Sequence, residues 1–175
     1  MDVYPILMQE TLLREVRRRL FDEGVPRLKK CLDQLTDEEI WQRPNANSNS
    51  MGNLVLHLTG NVRQWIIAGL DEQEDTRQRQ AEFDEKGPID RQQMLADLDA
   101  VMEEAEEVLN RLTPEKLLQQ FDVQGFQETG IGILLHVVEH FSYHVGQMTY
   151  YVKALKDMDM GYYAGLDLEA KRAEK

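Results

Sequence analysis

Every histidine in the chain falls within one of its two most apolar helical runs. His57 lies in MGNLVLHLTGNVRQWIIAGL, and His136, His140 and His144 lie in IGILLHVVEHFSYHVGQMTYYVKALK. Runs that are apolar on most sides at their centre belong to buried helices rather than amphipathic surface ones. A chain that folds these two runs must therefore wrap both in further helices and enclose imidazoles as it does so.

Two more helical patterns supply the wrapping. From Ile6 to about Leu35, apolar residues recur at helical spacing (Leu12, Leu13, Val16, Leu20, Leu28, Leu32, Leu35), interrupted by Gly24 and Pro26, which predict a kink or split. From about Asp90 to Leu112, the residues Met94, Leu98, Val101, Ala105, Val108 and Leu112 form one stripe opposite an acidic face. Thr36-Asp37-Glu38-Glu39 reads as a capping box opening a short turn through Trp41, and the amide-rich stretch after Arg43 reads as loop. The charged segment 71–89, closed by Gly87-Pro88, reads as a surface crossover outside the core. Thr113-Pro114 caps another short turn, and 119–130 is a glycine-containing connection. Together these predict one all-α domain over residues 1–175, a four-helix bundle with long crossover connections. The tail, 157–175, packs Tyr162 and Tyr163 on the bundle.

Composition narrows the partners. With 32 acidic against 20 basic residues the formal charge is −12, which repels phosphate backbones and anionic headgroups, so neither nucleic acid nor a membrane surface is expected as a partner. A single cysteine, Cys31, leaves no internal disulfide and fits a reducing, cytoplasmic address. No N-terminal basic segment leads into an apolar export signal, and no run approaches the roughly 20 apolar residues of a membrane span.

The histidines carry the chemistry. At about 100° per residue, His140 and His144 share one helix face a turn apart, and His57 falls on an inward face with Leu54, Asn61 and Trp65. Three neutral imidazoles meeting across the core match a divalent-metal site with an open fourth position for water or a substrate. Asn61, one turn after His57, and Gln147, three residues after His144, are the candidates to support the ligands, and His136 is a supporting or pocket residue. The bland alternative is a set of core histidines satisfied by hydrogen bonds. His136-Val137-Val138-Glu139-His140 also matches the H-x-x-E-H string of a metalloprotease class. That class needs a further carboxylate well downstream, where this chain offers only Glu169 and Glu174 in a polar tail, and Glu139 projects away from His140.

The segments Asn53-Leu54-Val55-Leu56-His57-Leu58-Thr59-Gly60-Asn61 with Trp65, and His140-Phe141-Ser142-Tyr143-His144-Val145-Gly146-Gln147, resemble the two metal-ligand helices of the DinB/YfiT-like metalloenzyme family. The resemblance extends in helix order over most of the chain. It implies a four-helix bundle, commonly a homodimer, in which His57, His140 and His144 bind a divalent ion, with nickel and zinc the usual candidates. Some members of that family are thiol-dependent transferases or isomerases whose metal activates a low-molecular-weight thiol, which implies an S-transferase acting on small electrophiles. The sequence departs from the family where relatives often carry a carboxylate and this chain has Asn61, and it adds His136. Two other functions stay open: a non-catalytic dimeric metal-binding or stress-response module, and a metal-dependent hydrolase of a small amide or ester.

Cys31 sits beside the apolar stripe of its helix and reads as a buried structural thiol. The acidic run Glu103 to Glu107 reads as a solvated face, because di-iron bundles need Glu-x-x-His and this helix has no histidine. Arg77, Arg79, Trp41, Tyr143 and Tyr151 are candidates for a pocket mouth that meets an anionic substrate, with packing or surface roles as the plainer reading.

Overall fold

A computed structural model describes residues 3–171. In chain order the elements are α1 (Tyr4–Arg17), α2 (Val25–Asp33), α3 (Asp37–Trp41), α4 (Met51–Val62), α5 (Arg79–Asp84), α6 (Arg91–Arg111), α7 (Pro114–Leu118), β1 (Gln120–Val123), β2 (Phe126–Thr129) and α8 (Gly130–Lys156). Stretches of π-helix, Arg18–Gly24 and Arg63–Leu70, join α1 to α2 and extend α4. Four long rods result, 4–33, 51–70, 91–111 and 130–156, and they pack as a helical bundle.

The kink expected at Gly24 and Pro26 is a π-helical turn. Pro26 has no N–H to donate, and its ring would strike the carbonyl one α-turn back. The wider ladder, in which the Val25 N–H reaches Leu20 O, takes up that mismatch without ending the rod. Gly24 then lets α8 close on the bend, since a Cβ there would lie 2.9 Å from Phe141 Cδ1. Both capping signals behave as the sequence implies. Thr36 and Glu39 form a reciprocal box at α3, and Ser50 forms one at α4 with Asn53 in place of the usual glutamate.

The core draws on all four rods. Leu28, Leu32, Val55, Leu58, Leu98, Ala105, Leu134 and Val137 are fully buried, and at about 25 cal/mol per Å² their apolar area supplies the main drive to fold. The α6 stripe from Met94 to Leu112 is buried at every expected position. Lys29–Asp99 and Arg17–Glu106 pairs tie the first rod to α6 at the rim. Cys31 is buried, its Sγ 3.3 Å from Tyr162 Oη, and Tyr162 Oη lies 2.9 Å from Thr149 Oγ1, so the tail does pack on the bundle. Residues 172–175, the charged end, lie outside the described residues. Among those described, no helix is long and apolar enough to cross a membrane.

The structure departs from the sequence reading in two places, and both serve the site. The connection 119–130 contains an antiparallel hairpin, with Val123 opposite Phe126 across the turn Gln124-Gly125. Both turn residues have positive φ, 53° and 81°, the primed geometry whose twist suits a two-residue hairpin. The crossover 71–89, expected to lie wholly outside the core, sends two side chains inward: Arg77 is 4% exposed and Glu82 11%.

Candidate metal centre

The site forms where α4 and α8 cross. Ser50 fixes the start of α4 and Thr129, whose side chain accepts the Gly132 N–H, fixes the start of α8. Under two turns from its start α4 presents His57, and about three and four turns into α8 come His140 and His144. Their ligand atoms lie within 4.8 Å of one another, with His57 Nε2 and His140 Nε2 2.9 Å apart. Imidazole nitrogens sit about 2.0–2.1 Å from a bound ion, so two ligands of one ion span at most about 4.2 Å. The cluster is within a small side-chain adjustment of that span. The sequence-derived trio is thus brought together.

Second partners orient two of the three rings. His57 Nδ1 lies 2.9 Å from Glu82 Oε2, an acceptor, and 3.1 Å from Arg77 Nη2, and His144 Nδ1 lies 2.8 Å from Gln147 Oε1, also an acceptor. With Nδ1 donating, the Nε2 lone pairs are left for a cation, the arrangement that carboxylates and amides impose on metal-ligating histidines. Gln147 was legible in the sequence as a support for His144; Glu82 was not. Glu82 is held in turn by Arg77, whose Nε and Nη2 donate to its two oxygens at 2.7 and 2.8 Å. Arg77 also donates to Gln64 Oε1 at 2.8 Å, and Asn53 Nδ2 holds the Glu82 and Glu85 carbonyls at 2.9 and 2.8 Å. Gly60 leaves the notch for this ion pair: a Cβ there would lie 2.1 Å from Glu82 Oε1. The available signal was Phe83, the one aromatic residue in an otherwise polar segment. Its ring stands 4.7 Å from that of His57.

The electrostatics favour neutral imidazoles. Burial, and then the charges that His144 and His57 would carry, push the His140 pKa down from 6.5 to about 3. Burial lowers His144 as well, against an opposing hydrogen bond to Gln147. Burial alone would raise the Glu82 carboxyl, but hydrogen bonds from Arg77 and His57, with their charges, outweigh it and keep the group below the usual carboxylate range. Imidazole nitrogens at His140 and His144 held unprotonated, with an ionised carboxylate behind His57, make a donor set suited to a divalent ion.

His136 stands aside from the trio. Its ring stacks on Trp65 at 3.6 Å and lies 5.3 Å from His140, with Asn61 Nδ2 3.4 Å from its Nε2. Asn61 therefore supports His136 rather than His57. A cavity of about 300 Å³ opens here, lined by His57, Asn61, Trp65, Arg77, Arg79, Gln124, Phe126, Glu128, His136 and His140. The hairpin forms its outer wall, where Gln124 Oε1 accepts the Trp65 Nε1–H at 2.9 Å. Arg77 and Arg79 do reach this cavity, Tyr143 and Tyr151 line a separate groove of about 880 Å³ between α4 and α8, and Trp41 packs against Gly52 and Gly87 instead. Glu139 is exposed, away from the cluster.

Fold and cluster together define a DinB-like helical protein with three histidines at its centre. The chain belongs to the family described as protein of unknown function DUF1572, which matches residues 8–164. Two solved structures share the fold. One, described as a DinB-like protein from Bacillus cereus, has a TM-score of 0.64 at 20% identity, covering 86% of this chain and 94% of that one. The other, a conserved protein from Enterococcus faecalis, has a TM-score of 0.66 at 19% identity over 90% and 99% of the two chains. Among curated proteins nothing matches.

Proposed function

We propose that this chain is a divalent-metal-dependent enzyme in which His57, His140 and His144 hold one ion, zinc or nickel, beside the 300 Å³ cavity. The observation that carries this reading is the convergence of three ring nitrogens within 4.8 Å, two of them oriented from behind by Glu82 and Gln147. A divalent ion held there supplies Lewis acidity and lowers the pKa of a coordinated thiol or water. On this reading the reaction is thiol transfer to a small electrophile. Hydrolysis of a small amide or ester needs the same ligands and differs in nucleophile. The protein's own part is positional. Glu82, clamped by Arg77, keeps the His57 ring from turning, and Gln147 does the same for His144. Trp65, His136 and Phe126 form an aromatic wall along one side of the cavity. The reading includes a homodimer, supported by exposed Tyr143, Tyr150 and Leu155 along α8.

The test compares wild type with His144→Ala for metal content, helical content, and turnover of electrophile panels with and without low-molecular-weight thiols. Loss of metal and of turnover with the bundle intact supports the reading. Full turnover in the folded variant, or an unchanged wild type after chelation, refutes it.

A further inference from the structure

The histidine cavity carries two opposite charges that the fold leaves unpaired. Arg79 begins α5 with its guanidinium over the Phe83 ring at 4.9 Å, and Glu128 comes from β2, opposite Phe121. Both line the cavity, and among the described residues neither forms an ion pair or a side-chain hydrogen bond. They differ in this from Arg77, which lines the same cavity but is paired with Glu82 behind it at 2.7 Å. Glu128 has a built place: its Oε2 lies where Gly132 leaves room, 2.5 Å from the point a Cβ would occupy. That is the first turn of α8, where a helix favours an anion. The same cavity is lined by Trp65, stacked 3.6 Å from His136, and by Phe126, 6.3 Å from Trp65.

We propose that the cavity takes a zwitterion of amino-acid size: an α-amino acid, or a small molecule ending in one, with an apolar or aromatic side group. Its carboxylate meets Arg79, its ammonium meets Glu128, and its side group lies against Trp65 and Phe126. This rests on the cavity being the substrate site of the proposed metal centre. A ligand with only a negative charge gains Arg79 but faces Glu128, and one with only a positive charge faces Arg79, so the pair selects against both. The volume, about 300 Å³, is at the small end of ligand pockets and suits a ligand of amino-acid size.

The experiment is a binding titration of the full chain, stripped of metal so that no ion captures the ligand's amine and carboxylate. The probes are L-phenylalanine and L-methionine, each with its N-acetyl derivative and its methyl ester. Saturable binding of a free amino acid is expected, with each blocked form weaker by about tenfold or more, the loss of one charge-assisted contact. Arg79→Gln should erase the difference between acid and ester while keeping the N-acetyl penalty, and Glu128→Gln should do the reverse. No saturable binding of either amino acid, or blocked forms that bind as well as the parents, overturns the proposal even if a variant fails to fold. Zinc titration of the same wild-type sample separates the two readings. Zinc uptake without amino-acid selectivity removes this inference alone, and selectivity without zinc uptake removes the metal alone.

Discussion

Glu82 Oε2 lies 2.9 Å from His57 Nδ1, so a residue from the charged crossover sets the orientation of a ring buried in the bundle. Supports of this kind are worth about 10–100-fold in metal affinity. Glu82→Gln should therefore weaken metal binding by about that factor with little change in helical content, read by competition with a chromogenic chelator. An unchanged affinity would show that Glu82 does not act through His57.

Gly60→Ala tests the same contact by steric means. Alanine is a better helix former than glycine by roughly 0.5–1 kcal/mol, so propensity alone forecasts a more stable protein. The added Cβ would fall 2.1 Å from Glu82 Oε1, so the variant should lose metal affinity as Glu82→Gln does. Because both changes break one contact, the double variant should bind metal no worse than the weaker single one. Additive losses would separate the two effects.

The bundle and the histidine trio were legible in the sequence because both depend on helical periodicity, which side-chain polarity records directly. Leu13, Val16, Leu20 and the α6 stripe all lie where that periodicity puts them. His57, His140 and His144 converge for the same reason. Glu82, Gln124 and Glu128 were not legible as site residues, and Arg77 was legible only as a candidate for the pocket mouth, not as the clamp on Glu82. They reach the site from a crossover and a hairpin, whose paths are fixed by contacts distant in sequence: Asn53 holding the Glu82 carbonyl, and Trp65 holding Gln124. Asn61, read as a supporting or pocket residue, lines the cavity with its amide 3.4 Å from His136 Nε2.

Acid should destabilise the metal-free protein over a defined window. His140 titrates near 6.5 when unfolded and near 3 when folded. Between those values the unfolded chain binds a proton that the folded chain does not, so stability is present above about pH 6.5 and falls as pH drops through the window. His136 and His144 are shifted in the same direction, and Glu82 adds to the loss at the acid end. Denaturant midpoints measured from pH 7 downward should decline, with a shallower decline in His140→Gln. Equal slopes in the two proteins would remove His140 from the account.

His136 should prove dispensable for the ion. His136→Phe keeps a ring to stack on Trp65 and should bind metal at the wild-type stoichiometry, whereas His140→Ala should not. Elemental analysis of the two variants decides the matter. Loss of metal in His136→Phe would make His136 a ligand.

The central claim is that His57, His140 and His144 hold one divalent ion. It is tested most directly by metal content per chain in protein purified without a histidine tag, measured as isolated and after reconstitution with zinc or nickel. The account predicts one tightly held ion per chain and a higher thermal midpoint on loading, by mass action. Protein that takes up no stoichiometric metal, with a midpoint indifferent to every divalent ion supplied, would contradict it.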